Sequence, residues 1–135
     1  MSRIIGIDYG TKRVGIAVTD PLQIISSGLT TVATKDIFTF LEDYLSKEEV
    51  ECIVVGEPMN ENGTPSQIAH LVVGFIRQLQ KRYPDLKIAT QDERYTSRIA
   101  KKIILQSGAK KKKRRDKSLV DKVSAALILQ AYMER

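Results

Sequence analysis

At four places carboxylates stand where an otherwise apolar sequence has little use for them. Asp8 lies inside Ile4-Ile5-Gly6-Ile7-Asp8, which reads as a strand. By two-residue alternation it shares a face with Ile4 and Gly6, while Ile5, Ile7 and Tyr9 face the other way. A carboxylate there is costly to bury unless it is paired or metal-bound. A turn-forming role beside Gly10 is the weaker account, because the aspartate precedes the turn proper. Asp92 and Glu93 follow the apolar run Leu86 to Thr90; being adjacent, at most one of them faces a given cleft. Acids ahead of a helix also suit the positive end of its dipole. Asp121 sits three residues after Ser118, in a segment that resembles a capping box with Asp in place of Glu or Gln. Asp121, Ala125 and Ile128 also rise along one helix face, and the small Ser124 and Ala125 allow close packing on a sheet. Glu57 ends the run Cys52-Ile53-Val54-Val55-Gly56; it is either a fourth member of the set or a loop residue reaching a nearby Lys or Arg.

Carboxylates from separate elements, converging at one sheet edge, form a hard oxygen site suited to Mg²⁺ or Mn²⁺. Two such ions ~4 Å apart activate a water and stabilise the leaving oxygen of a phosphodiester. That chemistry needs no histidine. His70 is the only histidine and Cys52 the only cysteine, which speaks against a Cys/His zinc site and a His-dependent nucleophile, and rules out an internal disulfide. Cys52 reads as a small buried apolar residue in a protein of the reducing cytoplasm.

The charge distribution points to a polyanionic partner. The net charge is +6 over 135 residues, but residues 98 to 122 alone carry eleven basic and two acidic side chains, leaving the rest mildly acidic. Lys110, Lys111, Lys112, Lys113, Arg114 and Arg115 are consecutive, and Arg98, Lys101 and Lys102 precede them. Like charges so crowded predict a mobile loop, running to Lys117, that grips a nucleic-acid backbone with strong salt dependence and little sequence preference. Lys12, Arg13 and Arg94 are candidates for phosphates nearer the acids.

The elements that must position these groups follow from hydrophobic periodicity. Arg3 to Tyr9, Val14 to Thr19 and Leu29 to Ala33 read as three strands in succession. Thr34 caps a helix from about Lys35 to Ser46, and Cys52 to Gly56 is a strand covered on both faces. Thr64-Pro65 starts a helix running to about Tyr83, and Leu86 to Thr90 is a strand. Thr96 or Ser97 caps a helix to about Gln106, and Ser118 begins the last one. The order β-β-β-α-β-α-β-α-α predicts one α/β domain over residues 1–135, a five-stranded mixed sheet with helices on both faces. No apolar run approaches the ~20 residues of a membrane span.

Four segments together resemble the YqgF family, also called RuvX. They are Gly6-Ile7-Asp8-Tyr9-Gly10-Thr11-Lys12-Arg13-Val14-Gly15, Val54-Val55-Gly56-Glu57-Pro58, Asp92-Glu93-Arg94-Tyr95-Thr96-Ser97 and Val120-Asp121-Lys122-Val123-Ser124-Ala125-Ala126. The resemblance spans the whole chain in order. It implies an RNase H-like fold and a metal-dependent nuclease. Members have been described as resolvases of four-way DNA junctions and as enzymes that mature the 5′ end of precursor 16S rRNA. The implied catalytic and metal-holding residues are Asp8, Glu93 and Asp121, with Asp92 as the alternative to Glu93. Family members usually carry an apolar residue at the position of Glu57, so this sequence departs there. The implied cofactor is Mg²⁺ or Mn²⁺. The implied partner is structured nucleic acid, with precursor 16S rRNA preferred over a four-way DNA junction, and with ribosomal particles as its setting. The early Gly-Ile-Asp-Tyr-Gly-Thr also resembles the phosphate loop of actin-like and sugar-kinase ATPases, but 135 residues cannot supply their second lobe and no Walker A sequence is present. A rival of another class is a nucleic-acid-binding module without catalysis.

Overall fold

Ile- and Val-rich alternation makes β1 (Arg3–Tyr9) and β2 (Arg13–Thr19), and Gly10-Thr11-Lys12 turns one into the other. The computed structural model describes residues 2–60, 62–63, 66–93, 96–106 and 117–134, without the side chain of residue 97. β3 (Ser26–Ala33) completes an antiparallel meander and leads through a 3-10 turn (Thr34–Asp36) into α1 (Ile37–Lys47). Then follow β4 (Val50–Glu57), α2 (Ala69–Arg82), β5 (Lys87–Asp92), α3 (Thr96–Gln106) and α4 (Lys117–Met133). The sheet order is β3-β2-β1-β4-β5. β1 pairs antiparallel with β2, and β4 lies parallel between β1 and β5. The five-stranded mixed sheet expected from the sequence is therefore present, and the parallel strands β1, β4 and β5 end on one side.

Several boundaries move for local reasons. β3 starts at Ser26 rather than Leu29, because its first residues pair with Thr19, Val18 and Ala17. Thr34 does not cap α1; its hydroxyl donates to Gly10 O at 2.7 Å, and the helix starts at Ile37. α2 starts at Ala69, since the Ser66 amide turns back to Pro58 O at 3.0 Å; Thr64 and Pro65 lie outside the described residues. β5 runs two residues past Thr90, and α4 starts at Lys117 rather than Ser118.

The two faces of the sheet are built differently. On one, Ile5, Ile7, Val14, Ile16, Ile53 and Val55 pack against Ile37 and Leu41 of α1 and Val72, Phe75 and Leu79 of α2. Each such side chain contributes roughly 1.5–3 kcal/mol on burial. On the other, Ile4, Ala17, Cys52 and Val54 meet Ala125, Ile128 and Leu129 of α4, and α3 covers the flank of α4 through Ala100, Ile104 and Val120. This second face is paved with small residues. A Cβ on Gly15 would stand 2.1 Å from Asp121 O, and one on Gly6 would stand 2.7 Å from Leu129 Cβ. Glycine is thus a requirement of the close approach of α4. Two hydroxyls of β3 fasten the helix: Thr31 Oγ1 donates to Ser118 O at 2.7 Å and Ser26 Oγ to Ala126 O at 2.9 Å. Among the described residues no helix is long and apolar enough to cross a membrane.

Candidate active site

Asp8 is the penultimate residue of β1 and pairs across the ladder with Gly15. It points to the face that α4 covers, as the alternation predicts, and the helix brings Asp121 over the same strand ends. Glu93 is the first residue after β5. Its amide donates to Glu57 O at 3.1 Å, and its own carbonyl accepts the Thr96 amide (3.1 Å) and hydroxyl (2.5 Å) at the start of α3. This bracket directs its carboxylate over Gly56, where a Cβ would stand 2.8 Å from Glu93 Oε2. A side chain at residue 56 would occupy the space that Glu93 uses.

The electrostatics of the group are those of crowded acids. The Glu93 carboxyl donates a hydrogen bond to Asp8. Burial pushes Asp8 up to about 6, with the nearby Asp121 charge acting in the same direction and the Glu93 hydrogen bond against it. Glu93 is raised further, to about 9, by burial first, then by the Asp8 charge, the hydrogen bond to Asp8 and the charge of Asp92. Two carboxylates so placed cannot both ionise unaided, and the pair keeps one proton. Asp121 is turned onto Arg13, whose Nε donates to Oδ2 at 2.7 Å. Among the described residues, no three acids, His or Cys close into a group with metal-ligand spacing.

An open cleft of about 370 Å³ lies over Asp8 and Asp121, lined also by Tyr9, Gly10, Thr11, Lys12, Arg13, Ile68 and Lys117. Tyr9 is fixed as one wall by stacking on Phe75, ring centroids 4.4 Å apart. Beside it, a recess of about 220 Å³ is lined by Arg13, Lys101, Lys117, Val120 and Asp121.

The sequence-based candidates divide on this geometry. Asp8, Glu93 and Asp121 come to one end of the sheet, and Lys12, Arg13 and Lys101 line the adjoining hollows. Arg98 and Lys102 are exposed on α3 without lining either one. Arg94 and Lys110 to Arg115 lie outside the described residues. Asp92 and Glu57 are paired on adjacent strands and exposed. Glu57 borders an apolar hollow with Pro58, Met59 and α2, on the face away from α4. It is Glu93 that is hydrogen-bonded to Asp8. The Asp121 carboxylate accepts a hydrogen bond from Arg13 Nε. Lys117 belongs to α4 rather than to the basic loop, and it touches both hollows. Ile68 had no signal, because the segment before α2 reads as helix in the sequence.

This architecture occurs in two solved structures of low sequence identity. The Fowlpox virus resolvase, solved with its substrate Holliday junction DNA, superposes with a TM-score of 0.59 at 14% identity, over 98% of this chain and 97% of that one. The T. thermophilus RuvC, in complex with a Holliday junction substrate, gives 0.57 at 16% identity, over 98% and 96%. The fold is therefore the RNase H-like type of the resolvases. The family model described as "RuvX: Holliday junction resolvase" matches residues 2–135, and the chain belongs to that family. Among its relatives, a protein of Flavobacterium johnsoniae is 49% identical over 133 residues, spanning 98% of this chain and 96% of the relative. One of Phocaeicola vulgatus is 50% identical over 134 residues, spanning 99% and 96%. Both are provisionally named pre-16S rRNA nuclease.

Proposed function

We propose that this chain is a divalent-cation-dependent endonuclease of the cytoplasm that hydrolyses phosphodiester bonds in structured RNA, and that its substrate is precursor 16S rRNA within ribosomal particles. The observation that carries the reading is the gathering of Asp8, Glu93 and Asp121 from β1, the end of β5 and α4 beside a cleft lined by Lys12, Arg13 and Lys117. The names of the relatives support the RNA substrate.

The donor set fits Mg²⁺ or Mn²⁺. It is all carboxylate, and the groups neutralising it, a shared proton and a guanidinium, occupy positions where the acids call for positive charge. Asp8, Glu93 and Asp121 would hold the ion, which supplies an activated water and stabilises the leaving oxygen. Glu93 would have to be deprotonated to serve as a ligand. Lys12 and Lys117 hold substrate phosphates, and the stacked Tyr9 keeps that wall rigid.

A second reading, a resolvase of four-way DNA junctions, is favoured by the two solved neighbours, both bound to such junctions. The test offers the protein a 5′-extended 16S precursor and a four-way junction side by side with Mn²⁺ or Mg²⁺. Cutting of the RNA that chelator abolishes supports the proposal, and preferential cutting of the junction reverses the ranking. Chelator-insensitive cutting, or full activity in Asp121→Asn, overturns the mechanism. Metal-dependent cutting lost in Asp8→Asn, with RNA binding retained, removes the binding-module alternative.

A further inference from the structure

Arg13 is ion-paired to one of the acids and lines both hollows. Its Nε pairs with Asp121 Oδ2, and it lines the acid cleft together with Asp8 and the neighbouring recess together with Lys101. Lys117 and Asp121 share both hollows with it. The backbone beneath Arg13 is fixed. It pairs with Ala33 in the ladder, the Thr34 amide donates to Lys12 O at 3.0 Å, and the Thr34 hydroxyl donates to Gly10 O at 2.7 Å. The side chain is 39% exposed against 20% for Asp121, so solvent and solutes reach the guanidinium more readily than the carboxylate.

Two demands meet on this residue. A cation-binding carboxylate set needs Asp121 released from its ion pair. A recess holding Arg13, Lys101 and Lys117 gathers three cations, whose mutual repulsion an anion relieves. A guanidinium serves either partner, since its planar fork fits carboxylate and phosphate alike.

We infer that Arg13 is a positioning residue that exchanges partners. It holds Asp121 in the metal-free protein, and it passes to a nucleic-acid phosphate in the Lys101–Lys117 recess when a divalent cation takes Asp121. This rests on the metal-dependent reading of the site. Divalent cation and polyanion then help each other through one side chain, a coupling that is reciprocal by thermodynamic necessity.

The test is a Mn²⁺ titration of the intact protein, followed calorimetrically or by the spin resonance of free Mn²⁺, comparing wild type with R13Q. Thermal melts establish that the variant is folded. Loss of the competing ion pair tightens Mn²⁺ binding by roughly 2–5-fold, the worth of a partly exposed pair. K12Q removes a cation from the same cleft without touching the pair, so its gain measures the field effect alone and is smaller. R13K keeps the charge without the fork and gives an intermediate gain, and it stands in if R13Q does not fold. A second readout is binding of an RNA hairpin, verified intact on a denaturing gel after each measurement, with and without Mn²⁺. Mn²⁺ strengthens wild-type binding more than R13Q binding, and the salt slope of R13Q with Mn²⁺ is shallower by about one. Mn²⁺ affinity in R13Q equal to or below that of wild type overturns the inference. So does a gain no larger than that of K12Q, or an undiminished effect of Mn²⁺ on RNA binding. A wild type that binds no Mn²⁺ overturns the metal-dependent function itself.

Discussion

The two faces of the sheet use the same strands for opposite purposes. Toward α1 and α2 the strands present Ile5, Ile7, Ile16, Ile53 and Val55, and the helices stand off by the depth of large side chains. Toward α4 they present Gly6, Gly15, Ala17 and Gly56, and the helix lies almost on the backbone. Bulk gives the first face its apolar burial. Its absence lets the second face carry acids: Asp8 and Asp121 come near one another because nothing fills the space between sheet and helix, and Glu93 rests over Gly56 for the same reason. The bulky face holds the molecule together and the bare one positions its chemistry.

If that division is right, mutations on the two faces separate stability from activity. The largest effect is expected from Asp8→Asn, which on the proposed mechanism lowers cleavage by about 10³-fold or more by removing a carboxylate assigned to the metal. The same change raises the melting temperature of the metal-free protein, because an unfavourably buried acid is removed. A lowered melting temperature would break the comparison. Leu41→Ala on α1 is its mirror image: urea unfolding should show a loss of about 2–5 kcal/mol, while cleavage per folded molecule stays within a few-fold of wild type. Gly15→Ala should move both. The added Cβ meets Asp121 O and displaces α4, lowering stability by about 1–3 kcal/mol and activity by about 10²-fold, the effect of a displacement near 1 Å.

The last expected effect is on pH dependence. Asp8 and Glu93 are both raised, so the folded state keeps a proton that the unfolded chain has released. Stability should fall as pH rises from the ordinary carboxylate range near ~4 toward about 9. Urea midpoints at pH 5 and 9 test the sign, and Glu93→Gln should flatten the difference.

Much of this was legible in the sequence, and the exceptions share a cause. The apolar runs predicted five strands and the mixed sheet, and two-residue alternation assigned Asp8 and Gly6 to one face, because both signals are local. The small Ser124 and Ala125 likewise announced the close approach of the last helix. Local sequence left the middle acid open among Glu57, Asp92 and Glu93. The choice turns on where β5 ends: pairing extends to Asp92, so Glu93 is the first residue free to swing over Gly56. The partner of Asp121 was illegible, since Arg13 lies 108 residues away and reads as a phosphate ligand on its own. Thr64-Pro65 is a sound helix start by local rules but lies outside the described residues; the described Ser66 amide turns back to Pro58 O, and α2 begins only at Ala69.

The seat of α4 on the glycine-lined face also bears on how the molecule folds. Its contacts with β1, β2 and β3 join residues about a hundred positions apart, and the closure entropy of such loops makes them late events. The β1–β2 hairpin, by contrast, can form from neighbours. Asp121 therefore reaches Asp8 only in the closing phase of folding, and on the proposed mechanism a chain with its sheet formed but its last helix undocked should not cut. In a refolding time course, cleavage should lag the recovery of strand signal and appear together with the docking of α4, making catalysis itself the reporter of the final step.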